Sequence, residues 1–202
     1  MITDKFALEK YVIKKRFPAT YIISGDYKEI AFYAVKTIGR NQISIFDRQS
    51  LSAALLKIDW KVKKGLTLNT YKFNIVDRAH TPLGKVECER TPVFSTTFTI
   101  KDVYDREIGV IQPDQVGYAY KYFNVIIKGK NAAAFYKNAH VGASYIMDLS
   151  GDKDKALDRK LAVAIAVILV AIGIPMQKFT SSVDWAKPVI VGDELYKIKR
   201  RS

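Results

Sequence analysis

The sequence predicts a mainly β protein with one buried helix: a closed antiparallel β-barrel of about twelve strands around a central hydrophobic helix towards the C-terminal side. Three observations predict it. The first is the unbroken run of fourteen apolar residues from Leu161 to Ile174, closed by Pro175. As a helix this run reaches about 21 Å, short of the roughly 30 Å of a bilayer core. Being apolar on every face, it has to be enclosed by the rest of the domain. The second is the recurrence of Val, Ile, Thr, Tyr and Phe at short intervals through the preceding chain, the composition of strands. The third is the strand count, ten to twelve by pattern, which is more than an open twisted sheet carries without curling. Closure removes the edges, and the wide interior that results is filled by the helix.

The elements follow in order. A basic and aromatic strand opens the chain, Tyr11-Val12-Ile13-Lys14-Lys15-Arg16-Phe17. From Tyr21 to Gln112 one unit then repeats four times, an alternating strand, an acidic turn and a returning strand. The units run from Tyr21 through Asp26 back over Ile30 to Val35, and from Ile43 through Asp47-Arg48 back over Leu55 to Val62. The next pair runs from Tyr71 through Asp77-Arg78 back over Leu83 to Cys88, and from Phe98 through Asp105-Arg106 back over Glu107 to Ile111. Asp suits these turns because its short side chain bonds the backbone beyond it, and Gly84 and Gly109 mark where the chain starts back. Ile58, Trp60 and Val62 alternate with Asp59, Lys61 and Lys63, so one face packs inward and one is wet. Three further strands are expected in Tyr118–Lys128, Ala132–Tyr136 and Val141–Leu149, followed by the helix over about 154–174. Residues 1–176 thus form the barrel domain and residues 177–202 an extension that is basic at its end.

A chain of 202 residues, 49% hydrophobic, fits one domain with a real core. Cys88 is the only cysteine, which excludes intrachain disulfides and cysteine-based zinc clusters. Met1 to Lys10 has no apolar segment and carries Asp4 and Glu9, so a signal peptide is not expected and the cytoplasm, or the cytosolic face of a membrane, is the expected location. The net charge of +13 favours polyanionic partners, either anionic lipid head groups or nucleic acid. The plainer alternative is that lysines merely cover the wet face of a sheet.

The opening basic and aromatic strand and the aliphatic-x-Asp-Arg hairpins carry a resemblance, together with Tyr104-Asp105-Arg106-Glu107-Ile108-Gly109-Val110-Ile111 and the acidic lead into the apolar helix, Asp154 to Ala166. In the order and spacing of these motifs, from about Tyr11 to Ile174, the chain resembles the tubby C-terminal-like superfamily, in its LURP-one-related and phospholipid-scramblase-like branch. The resemblance implies a twelve-stranded barrel around a central C-terminal helix. It also implies a lipid-associated role, since tubby domains bind phosphoinositide head groups through basic residues on the barrel wall. Unlike the family pattern, in which the helix lies near the chain end, this sequence runs 28 residues past Ile174.

Candidate chemistry is sparse. Asp148, Asp152, Asp154 and Asp158 precede the helix, where scramblases carry a proposed calcium segment, but the spacing is not an EF-hand loop. Capping of free N–H groups at a helix start is the preferred reading of these carboxylates. His80 falls in a turn and is expected to be exposed; neither it nor His140 has a ligand set or catalytic partner in the sequence. Cys88, between Glu87 and Glu89, is expected to pack inward, and the flanking carboxylates discourage a thiolate. No phosphate-cradling glycine loop or nucleophile elbow occurs, so a non-enzymatic protein without a cofactor is expected.

The basic residues form three clusters, each beside an aromatic: Lys14, Lys15 and Arg16 with Phe17; Lys61, Lys63 and Lys64 with Trp60; and Lys197, Lys199, Arg200 and Arg201 with Tyr196. Cations next to aromatics suit a membrane surface, where each Lys or Arg near anionic lipid is worth about 1 kcal/mol. The expected function is therefore reversible docking on anionic, phosphoinositide-type membrane surfaces. The alternatives are scramblase-like lipid transport with the helix inserted, a nucleic-acid-binding protein, for which no recognised motif is present, and a structural barrel with no small ligand. No feature of the sequence specifies a protein partner.

Overall fold

A computed structural model describes residues 5–16, 19–25, 29–48, 50–65, 69–90, 97–116, 119–138 and 144–173. The period-two stretches become twelve strands, each turning back on the one before. The first six are β1 (Lys10–Arg16), β2 (Thr20–Gly25), β3 (Glu29–Lys36), β4 (Gln42–Asp47), β5 (Ser50–Lys64) and β6 (Asn69–Asp77). The remainder are β7 (Pro82–Arg90), β8 (Thr97–Lys101), β9 (Glu107–Val116), β10 (Ala119–Ile127), β11 (Lys130–Asn138) and β12 (Ser144–Asp148). Every strand pairs antiparallel with its sequence neighbours, and β1 pairs with β12, Lys10 opposite Asp148 and Lys14 opposite Ser144, to close the barrel. All four hairpins expected from the repeat are present.

The helix α1 (Arg159–Ile172) lies inside, with every side chain from Leu161 to Val170 buried. Facing it are the inward residues of the strands, among them Ile23, Phe32, Ile45, Ile58, Phe98 and Phe123, all solvent-inaccessible. Ala162, Ala164 and Ala166 alternate with Val163, Ile165 and Val167 along the helix, so its girth stays small enough for the lumen. Asp158 caps it, accepting from the Leu161 N–H at 2.9 Å, and Gly173 ends it in the left-handed conformation at φ 68°. Among the described residues no helix is long and apolar enough to cross a membrane.

Three details differ from the sequence reading. The helix begins at Arg159 rather than about residue 154, because the Asp152 carboxylate takes the Ala156 and Leu157 N–H groups at 2.8 and 3.2 Å and holds that segment in turns. In the β8–β9 turn the bonding carboxylate is Asp102, which accepts from the Tyr104 and Arg106 N–H groups, whereas Asp105 adopts φ 67°. Asp77 does act as expected, accepting from Ala79 and Thr81 at 2.9 Å. Gly84 and Gly109 lie at the start of returning strands for a reason the pattern does not give, the close approach of a neighbouring strand. A Cβ on Gly84 would meet the Lys101 carbonyl oxygen, and one on Gly109 would run into that of Ile126.

Strand pairing slips by one residue at Ile23/Ser24, Ile45/Phe46, Ile75/Val76, Ile100/Lys101 and Val125/Ile126, near the ends of even-numbered strands, by three at Phe46/Asp47, and by one at Tyr120/Tyr122 at the start of β10. Such bulges bend strands and increase twist, and those near the ends of even-numbered strands recur at the pole where the helix begins. Gly109→Ala is expected to destabilise the barrel by about 2 kcal/mol or more, since the methyl group has to displace backbone rather than a flexible side chain. A urea denaturation midpoint unchanged from the parent protein would contradict that packing.

Candidate functional site

An up-and-down barrel sorts its residues by strand parity. The C-terminal ends of odd-numbered strands and the N-terminal ends of even-numbered ones share one pole; the opposite ends share the other. Lys14, Lys15 and Arg16 finish β1, and Lys61, Lys63 and Lys64 finish β5. Both predicted clusters therefore stand at the same pole, the one towards which α1 runs and at which Gly173 emerges exposed.

The local pattern explains why these side chains face solvent. On β1 the buried residues are Tyr11, Val12 and Ile13, after which Lys14 is half-buried and Lys15 and Arg16 are exposed. On β5, Ile58 is fully buried and Trp60 partly so, packed against the core, while Lys61, Lys63 and Lys64 are exposed. β5 outruns β4: Gln42 pairs with Asp59, and from Trp60 onward β5 is laddered to β6 as far as Lys64 opposite Asn69. Phe17 and the whole third cluster, Tyr196, Lys197, Lys199, Arg200 and Arg201, lie outside the described residues, as does His140.

Two cations that the sequence reading missed join this pole. Lys36 ends β3 and places its Nζ 5.3 Å from the centre of the Trp60 ring, and Arg40 is exposed in the turn that follows. The signal was present, a basic residue on either side of the Thr37-Ile38-Gly39 turn, but no aromatic is next to Lys36 or Arg40 in the sequence as Phe17 and Trp60 are next to the other clusters. Among the described residues none of Lys14, Lys15, Arg16, Lys36, Arg40, Lys61, Lys63 or Lys64 is in an ion pair. The carboxylates whose side chains are described on this half of the wall, Asp59 and Glu87, are both engaged. Gln42 donates to Asp59 at 2.8 Å, and Lys72 and Lys101 each reach Glu87 at 2.9 Å. Burial would raise the Glu87 carboxyl, but the two lysine hydrogen bonds outweigh it and hold it low.

At the opposite pole cations and carboxylates are interleaved and many are paired, although Arg48, Arg78, Lys128, Lys153 and Lys155 are exposed there and in no ion pair among the described residues. Lys85 and Lys130 hold Asp105 and Asp154 below the usual carboxylate range through hydrogen bonds of 2.9 and 2.7 Å, and Lys5 pairs with Asp47. The four aspartates considered for calcium are here, and each is turned to its own partners. Asp148 pairs with Lys10 at 3.1 Å and accepts from the Ser150 N–H, Asp152 pairs with Arg159 at 3.4 Å, Asp154 binds Lys130, and Asp158 caps α1. Only Asp158 fills the capping role expected for all four. Among the described residues no group of three or more His, Cys, Asp or Glu side chains is placed to hold a metal ion. A shallow pocket of about 200 Å³ lies beside this segment, lined by Lys130, Asn131, Asp152, Lys153 and Asp154. Cys88 is buried and His80 exposed, as the sequence suggested.

Compared with family models, with curated proteins and with solved structures, the chain gives no match.

Proposed function

We propose that this protein is a non-enzymatic module that docks reversibly, basic pole first, on the anionic cytosolic surface of a membrane. One observation carries the reading: strand parity brings the β1 and β5 clusters, with Lys36 and Arg40, to one pole where none of these cations has a carboxylate partner among the described residues. A folded domain gains nothing internally from a field of unpaired like charge; a planar anionic surface is the partner that meets all of it at once. The half-buried Trp60 beneath Lys36 adds an amphipathic ring of the kind found at head-group depth. The resemblance of the sequence to the tubby-like, LURP-one-related branch is in keeping with the same reading, since a closed barrel around a buried helix is the fold that it implies.

The test is co-sedimentation with vesicles of phosphatidylcholine alone and vesicles that also contain phosphatidylserine or a phosphoinositide. Binding is expected only to the anionic vesicles, falling about tenfold or more as salt rises from about 0.05 to 0.5 M. Absence of binding at low salt would defeat the proposal, and retention of single-stranded RNA in its place would reassign the basic pole to nucleic acid.

A further inference from the structure

The β3–β4 turn at the basic pole carries the most exposed large apolar side chain described in the molecule, Ile38, at 83% of its free accessibility. The turn is tightly built. The Arg40 N–H donates to the Thr37 carbonyl at 3.3 Å, the Thr37 N–H donates to the Gln42 carbonyl at 3.0 Å, and Gly39 takes φ 77°. A positive φ at the third residue is the mark of a type II turn, which puts Ile38 at the outer corner. The turn is also braced from β5, where the Trp60 N–H donates to the Asn41 carbonyl at 3.0 Å. Ile38 thus projects from a fixed corner, with Lys36 and Arg40 on either side and the strand of Lys61, Lys63 and Lys64 adjacent.

An isoleucine in water at a hairpin corner contributes nothing to the fold, and its flanking cations are the groups that a lipid phosphate would neutralise. We infer that Ile38 is the apolar insertion tip of the docking surface, entering the boundary between head groups and acyl chains of an anionic bilayer while Lys36 and Arg40 hold the phosphates around it. The inference rests on the docking reading and adds to it a component of binding that salt does not screen. It also fixes orientation, since the tip meets the bilayer only when the barrel stands on its basic pole. Tyr104, the next most exposed apolar side chain at 75%, lies at the opposite pole in the β8–β9 turn under Arg106 and serves as the internal control.

The experiment uses the full chain with phosphatidylserine-containing vesicles. Ile38→Ser is expected to weaken binding about tenfold, mainly by removing the part that persists at high salt, whereas Tyr104→Ser leaves binding unchanged. In a Cys88→Ala background, a nitrobenzoxadiazole label on Ile38→Cys is expected to brighten and shift to the blue on vesicle binding, and the same label on Tyr104→Cys to stay as it is in water. Parental binding that survives Ile38→Ser together with a label that remains aqueous would overturn the insertion tip and leave electrostatic docking standing. Failure of the parent protein to bind anionic vesicles at all would overturn both.

Discussion

Ile165→Asp is expected to leave no cooperatively folded protein. Ile165 sits at the middle of α1 with no solvent exposure, surrounded by a closed wall of strands. Truncating a fully buried aliphatic side chain costs about 2–5 kcal/mol, and an unpaired carboxylate in that position adds several more or has to be neutralised by protonation. The total is comparable with the entire stability of an ordinary domain, about 5–15 kcal/mol. The barrel has no alternative arrangement that would let the charge out, because tilting the helix to expose Ile165 uncovers the inward faces of Phe32, Ile58 and Phe98 as well. Ile165→Val, which keeps the shape and removes one methyl group, is expected to cost only about 1 kcal/mol and to stay folded. Circular dichroism and urea denaturation of the pair separate the two cases. A folded Ile165→Asp variant with the parental midpoint would mean that α1 is not enclosed.

The helix was legible because its run is apolar in every direction, and only a position inside a sheet satisfies such a run. The hairpins were legible because Asp77 makes the expected turn bonds and because alternation over Ile58 to Lys63 has a single register in which the lysines stay wet. The lead into the helix was misread for a physical reason. Asp152 and Asp158 both bind backbone N–H groups, but one closes a turn and the other a helix, and the residue type is the same for either. Asp102 was overlooked in favour of Asp105 on similar grounds, since both are aspartates within one tight connection. The poles are the more instructive case. That β1 and β5 end together follows from both being odd in an unbroken meander, so the information was in the sequence, but it is reached only if every intervening strand is counted and none crosses over. A single missed strand would have sent the two clusters to opposite ends. Ile38 was invisible for a different reason: an apolar residue in a turn reads as the fraying end of a strand until the Thr37–Arg40 hydrogen bond fixes it at a corner.

Reversing charge at the basic pole is expected to abolish docking in two multiplicative steps. Each Lys or Arg near an anionic surface is worth about 1 kcal/mol, so removing the charge of Lys61, Lys63 and Lys64 costs about 3 kcal/mol, or about two orders of magnitude in binding. Replacing them with Glu adds repulsion and makes the loss larger. The same holds for Lys14, Lys15 and Arg16 on β1. If both clusters meet one bilayer, as a shared pole requires, each triple variant weakens binding to phosphatidylserine vesicles on its own and their combination weakens it by roughly the product. If the clusters met different surfaces, the second reversal would add nothing to the first. The matched control is Lys128, Lys153 and Lys155→Glu, three exposed cations at the opposite pole. A nine-residue strand such as β10 spans about 30 Å, several times the roughly 8 Å over which charge is felt at physiological salt, so this variant is expected to bind nearly as the parent does. Lys61, Lys63 and Lys64 are in no ion pair among the described residues and are exposed, so their reversal is expected to leave the thermal midpoint close to that of the parent. Loss of binding with unchanged melting therefore assigns the pole to recognition rather than to the fold, and equal losses from the two poles would reduce the effect to net charge alone.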